Sequence, residues 1–331
     1  MKMPDKYYPE IDILKGFAIL LVLLGHSIRN NYIDLTGTSL WCEMVSSTIY
    51  SFHMALFFII SGFLFGNREI KYKELISKKF KRLLIPYLLL SSCTFIFRAL
   101  LPQFVNKHVD VSISEYFNTI ILNGGHYWFV YCLLIIFLVF PLIQRASQKI
   151  SYGHFMLFLI LTMLAVFPVD LDLFELKKIS ENLIYFFIGC LLKKHYQGFR
   201  NNFSGNHMLL ILFPCFFFFK SIGTSSIYVE HIIKIILAVT GSWISYVFIL
   251  KINNMAIKKL LTICGLYSLQ LYLLELYPIA VNRVIAFKFL DISSPIFIVP
   301  IVFLADTAVI VLLCRFLFEK NRTLKMMLGI N

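Results

Sequence analysis

The chain has 331 residues, of which 59% are hydrophobic, 16% aromatic and only 15% charged, with a mean hydropathy of +0.79. That composition excludes a soluble globular domain of this size and points to a polytopic membrane protein. A formal net charge of +13 would suit nucleic acid only if a solvated basic domain were present; none stands between the apolar runs, so no nucleic-acid partner is expected and the excess of Lys and Arg belongs to membrane topology.

The segment from Met1 to Glu10 is polar, and no small-residue cleavage site follows the first apolar run. The first helix is therefore expected to be retained rather than removed as a signal peptide. Apolar runs separated by polar breaks lie near 11–28, 46–66, 83–104, 127–147, 154–170, 180–195, 207–223, 229–250, 260–282 and 294–318. They predict a single all-α domain over residues 1–331, a polytopic transmembrane bundle of about ten spans. The break between the second and third runs holds Arg68, Lys71, Lys73, Lys78, Lys79, Lys81 and Arg82. Seven basic residues in fifteen positions mark it as cytoplasmic. Alternation from there puts both termini in the cytoplasm, and the breaks predicted to lie outside carry Lys107, Asp110, Asp170, Asp172, Lys288 and Asp291 in a thinner mixture of charges. The seven cysteines are scattered through apolar runs without a C-x-x-C pair, so they read as small buried hydrophobes.

Several spans carry polar groups that a bilayer disfavours. In the first, Asp12, Lys15 and His26 share nearly one helical face, the last two separated by roughly 16 Å along the axis. Ionisable groups at that depth face a bundle interior or a wet cavity and mark a pathway or a reactive centre. In the second span His53 falls at a depth similar to His26. Two imidazoles at one level on sequential helices suggest a site, but no cluster has the ligand spacing of a metal centre, and no metal is expected. In the ninth span Ser268, Tyr272 and Glu275, at i, i+4 and i+7, form one polar stripe. Glu275 is expensive to bury unless paired, and a nearby imidazole is a plausible partner. Glu230 and Lys234 have the spacing of a local ion pair beside His231, and Asp306 lies inside the tenth span with its role open. The basic run 68–82 serves topology, anionic lipid headgroups or the phosphates of a nucleotide cofactor.

These residues resemble the acyltransferase-3 membrane family. Asp12 to His26 is similar to its opening helix, where a basic residue, usually arginine, precedes a histidine. "HMALFFIISG" from His53 resembles its second helix. Lys79 to Tyr87 resembles its basic loop running into a proline-containing third helix. "HYWFVYCLLIIFLVFPLI" from His126 resembles its Trp-containing fourth helix, and "CGLYSLQLYLLE" a late helix that often ends in histidine. The likeness runs from residue 12 to about 280 and lies nearest the branch of sugar O-acetylases related to fucose 4-O-acetylases. It departs at Lys15, which keeps the charge but not the fork of arginine, and at Glu275.

The resemblance implies transfer of an acyl group, usually acetyl from cytoplasmic acetyl-CoA, to a hydroxyl of a cell-surface or lipid-linked glycan at the bacterial inner membrane. Lys15, Lys79, Lys81 and Arg82 are the expected cationic entry for the phosphates of CoA. His26 is the expected general base, oriented by Glu275 or His53; an acyl-histidine relay across the membrane is the second route, and Ser61 as nucleophile competes with close packing of the Ser61-Gly62 pair. A transporter or flippase, with Lys15, His26, Glu275 and Asp306 as its polar pathway, is the alternative from another class; a structural partner of a glycan-assembly complex is the third.

Overall fold

The computed structural model describes residues 7–29, 34–66, 72–100, 112–171, 173–203, 205–292 and 294–330. Arg68, Lys71, Lys107, Asp110 and Asp172 lie outside the described residues. Among those described there is no strand, only an isolated bridge between Arg29 and Asp34. A chain this apolar has little choice, because in lipid a helix is the one single-segment structure that pairs its own amides and carbonyls.

In chain order the helices are α1 (Pro9–Ile28), α2 (Leu40–Tyr50), α3 (His53–Phe65), α4 (Tyr72–Lys79), α5 (Ile85–Leu100), α6 (Ile113–Tyr116), α7 (Trp128–Ser147), α8 (Gly153–Val166) and α9 (Leu176–Lys194). There follow α10 (Tyr196–Phe203), α11 (Asn206–Ser221), α12 (Ile227–Lys251), α13 (Met255–Leu266), α14 (Ser268–Leu274), α15 (Leu276–Val284), α16 (Pro295–Leu313) and α17 (Arg322–Met327). Each of the ten apolar runs has a helical counterpart. Among the described residues six stretches are long and apolar enough to cross a membrane, namely Pro9–Ile28, Leu40–Phe65, Tyr72–Leu100, Ile113–Ser147, Ile227–Lys251 and Pro295–Phe318. The number rises to eight when two bent pairs are each taken as one span: Tyr196–Phe203 with His207–Ser221, at 89°, and α13 with α14, at 64°. Of the remaining runs, α8 is only 14 residues long, and α9 carries Lys177, Lys178, Glu181, Lys193 and Lys194.

The ninth run is not the single helix that its periodicity suggests. Tyr267 leaves helical geometry at φ −96° and ψ 16°, and α14 sets off at an angle to α13. Bent pairs of this kind are invisible to a hydropathy pattern, which records only that each half is apolar.

Glycines bring two helix pairs into backbone contact. α3 lies against α9, where a Cβ on Gly62 would stand 1.9 Å from the Phe186 carbonyl oxygen and one on Gly189 2.0 Å from that of Ile59. α1 lies against α13, where Gly16 meets Leu261 and Gly265 meets Asp12 at 1.8 and 2.0 Å on the same measure. The Ser61-Gly62 pair thus sits in a helix crossing. Around these crossings Phe58, Phe140, Phe186 and Phe187 are fully buried and form the aromatic centre of the bundle. Cys42, Cys132, Cys190, Cys264 and Cys314 are buried as expected, whereas Cys93 is exposed because it lies on an outward face of α5.

Candidate active site

The face of α1 that carries Lys15 and His26 looks onto two cavities. The larger, about 1400 Å³, is lined by His26, His53, His126, Trp128, Tyr272 and Glu275 among others. The smaller, about 130 Å³, is lined by Lys15, Lys79 and Arg82, by the hydroxyls of Ser61 and Ser268, and by apolar side chains such as Phe57 and Phe129. Met54 and Tyr272 belong to the walls of both. The polar stripe of the ninth run therefore joins them: Ser268 faces the smaller cavity, Tyr272 both, and Glu275 the larger.

His26 stands in the last turn of α1, and its Nδ1 is 2.8 Å from Oε1 of Glu275, at the junction of α14 and α15. An ionised Glu275 accepts from Nδ1–H, and in the neutral imidazole Nε2 then keeps a lone pair. Glu275 is 1% exposed and its second oxygen has no partner, whereas the His26 side chain is 24% exposed. One edge of the imidazole is thus anchored in the protein while the residue lines the larger cavity.

Of the two residues expected to orient His26, only Glu275 touches it. His53 is buried and donates through its own Nδ1 to the Ile49 carbonyl at 2.8 Å. Tyr50 lies close to both imidazoles, its ring centroid 6.3 Å from that of His26 and 5.0 Å from that of His53. His53 nevertheless lines the larger cavity with His26.

At the other end of α1, Lys15 pairs with Asp12 at 2.6 Å. The ammonium of Lys79 stands 3.5 Å from the centre of the Phe137 ring, so its charge lies over an aromatic face. Lys81 departs from the expected set: it is exposed and is not part of the wall that Lys15, Lys79 and Arg82 share. It follows Lys79 by two positions, which on a helical turn is the opposite side.

Three neighbours were not singled out by sequence. His126 lines the larger cavity from the turn that leads into α7. Its signal was its place in the Trp-containing motif, but a lone histidine beside two glycines reads as a turn residue. Arg283 donates to the Ser27 and His26 carbonyls; it fell one position beyond the run ending at 282. Tyr50 lies inside the second run, where a tyrosine among apolar residues carries no signal of its own. Glu230 and Lys234 do form an ion pair, at 2.8 Å, and Asp306 accepts from Asn282 at 2.5 Å. In the connection between α1 and α2, hydrogen bonds from the Thr36 hydroxyl and amide hold the Asp34 carboxyl below its ordinary range, with Arg29 adding to the effect. Among the described residues no group of three or more His, Cys, Asp or Glu side chains is placed to hold a metal ion.

This arrangement places an imidazole held by a carboxylate on one cavity and three cations on a second that shares two wall residues with it. A family model described as "Acyltransferase domain" (Acyl_transf_3) matches residues 8–315. The nodulation protein NolL of Sinorhizobium fredii is 27% identical over 207 residues, 62% of this chain and 53% of that protein. NolL of Mesorhizobium japonicum is 27% identical over 143 residues, 42% of this chain and 36% of that protein. The matched region thus spans about half the length of the first relative and about a third of the second. No solved structure matches the chain.

Proposed function

The chain belongs to the acyltransferase-3 family, and from that membership we propose that it moves an acetyl group from cytoplasmic acetyl-CoA to a hydroxyl of a cell-surface or lipid-linked glycan, within the inner membrane of a bacterium. Membership makes it an O-acyltransferase, and its apolar helices make it a multi-pass membrane protein. We place both termini in the cytoplasm with about ten spans, the short α8 and the charged α9 included, because the basic residues Lys73, Lys78, Lys79, Lys81 and Arg82 then lie on the inner side. On that orientation the smaller cavity, at the Lys15 end of α1, lies toward the inner side and the larger, at the His26 end, toward the outer.

The observation that carries this proposal is the His26–Glu275 hydrogen bond at the wall of a cavity that meets a second, cation-lined one. The donor's chemical demands fit the smaller cavity: Lys15, Lys79 and Arg82 suit phosphates, and the narrow apolar wall with Ser61 and Ser268 suits a thin amide-bearing arm. Acetyl-CoA, consumed as a substrate, supplies the activated acyl group. On the acceptor side Trp128, Glu181 and Asn182 line the larger cavity, an aromatic and polar set suited to a sugar ring.

His26 Nε2 takes the proton of the acceptor hydroxyl as its oxygen bonds to the acyl carbon, and returns that proton to the departing thiolate. Glu275 holds Nδ1–H throughout and stabilises the imidazolium that forms in between, as a buried carboxylate does for other acyl-transfer histidines. His53 and His126 shape the same wall without touching His26. The bend at Tyr267 sets the polar stripe of the ninth run at an angle to α13, with Tyr272 on both cavities and Glu275 on the larger.

The test is the acyl-ester content of surface glycans, by mass and NMR, from cells with the intact gene, a deletion, and His26→Ala at confirmed membrane level. Loss of acetyl esters in both altered strains is expected. Normal acetylation in the alanine strain would remove His26 from the chemistry, and an unchanged deletion strain would remove the glycan acceptor. Labelled acetyl retained on the quenched protein would distinguish an acyl-histidine relay from direct transfer.

A further inference from the structure

A guanidinium buried to 2% exposure is costly and is tolerated only where it is paired and hydrogen-bonded. Arg283 sits in the last turn of α15 and reaches the C-terminal end of α1. Its Nη2 donates to the Ser27 carbonyl at 2.5 Å and lies 3.4 Å from that of His26. These oxygens belong to the last turn of α1, which has no helical amides ahead of it and carries the negative end of the helix dipole. Their neighbours are otherwise served, Gly25 by the Arg29 amide and Ile28 by the Leu35 amide.

Asp306 on α16 is a buried carboxyl that interacts electrostatically with Arg283. Asn282, adjacent in sequence, donates to Oδ1 of Asp306 at 2.5 Å, and Asp306 is 0% exposed with its second oxygen unpartnered. Glu275 and Arg283 are eight residues apart on one segment. That segment therefore grips α1 twice, at the His26 side chain through Glu275 and at the backbone through Arg283.

We infer that Arg283 is a positioning residue: by holding the carbonyls of Ser27 and His26 it sets α1 against α15 so that the His26 ring meets Glu275, with Asp306 as the buried counter-charge. This rests on His26 as the base. A register fixed only by packing would leave the end of α1 free to shift, and a misplacement of about 1 Å is enough to cost roughly a hundred-fold in rate.

The experiment compares Arg283→Met, Arg283→Lys and the double variant Arg283→Met/Asp306→Asn in full-length protein. Labelled acetyl-CoA is the donor, and membranes of a deletion strain supply the native acceptor. Arg283→Met is expected to lower kcat by roughly ten- to a hundred-fold with KM for acetyl-CoA unchanged, and to lower the membrane level because Asp306 loses its counter-charge. The lysine variant recovers part of kcat, since an ammonium still donates to one carbonyl. Adding Asp306→Asn restores the membrane level but not kcat. If the double variant restores both, Arg283 is merely structural and the inference falls; it falls equally if Arg283→Met keeps the wild-type kcat, or if kcat and KM change together. His26→Ala in the same assay separates the two readings. Full activity there overturns the base itself, whereas loss there with a normal Arg283→Met overturns only the positioning role.

Discussion

The two ends of α1 hold their ionisable groups in opposite ways. Lys15 pairs with Asp12 where both side chains keep some exposure, 16% and 13%, and Lys79 and Arg82 bring further positive charge to the same small cavity. His26 relies on a single carboxylate, 1% exposed and with one oxygen otherwise unpartnered. Charge at the Lys15 end is shared among several side chains, so the loss of one cation leaves most of the field in place. At the His26 end one hydrogen bond in a low-dielectric setting fixes the tautomer, and nothing nearby replaces it. On the proposed reading, recognition of the donor is spread out and the chemistry is concentrated.

Substitutions graded along α1 and its partners put that contrast to the test. His26→Ala should abolish acyl transfer at an unchanged membrane level, measured as labelled acetyl passing to membrane glycans. Glu275→Gln should lower the rate by roughly a hundred-fold or more, because an amide can donate as well as accept and no longer enforces Nδ1–H; a single-turnover rate measures it. His53→Gln should cost no more than about ten-fold in the same assay, since general-base catalysis stays with His26 and His53 spends its Nδ1 on a backbone carbonyl. Lys15→Ala should raise KM for acetyl-CoA by about ten-fold with kcat little changed, the mark of binding lost equally from ground and transition states. Lys81→Ala should change KM by less than about two-fold, as expected for an exposed charge outside the cavity wall. A larger effect of Lys81 than of Lys15 would break the assignment of the small cavity to the donor, and a Lys15 effect on kcat as large as that of Glu275 would erase the contrast.

What the sequence by itself determined is the membrane class, the all-helical bundle and the residues worth placing in it. Lipid leaves a long apolar run no alternative to a helix, so the periodicity of α1 put Lys15 and His26 on one face, and that of the ninth run put Ser268, Tyr272 and Glu275 in one stripe. Both were legible because they are separations along a single helix. Tertiary structure alone decided that the stripe meets His26, across 249 positions of sequence, that Glu275 rather than His53 supplies the orienting contact, that Lys79 and Arg82 line the small cavity while Lys81 does not, and that Arg283 and His126 come within reach. These depend on where helices cross and bend: on the backbone contacts at Gly16, Gly62, Gly189 and Gly265, and on the departure from helical geometry at Tyr267. A hydropathy pattern records how apolar each segment is. It holds no term for the angle at which two of them touch, and that angle chooses the partner of a buried carboxylate.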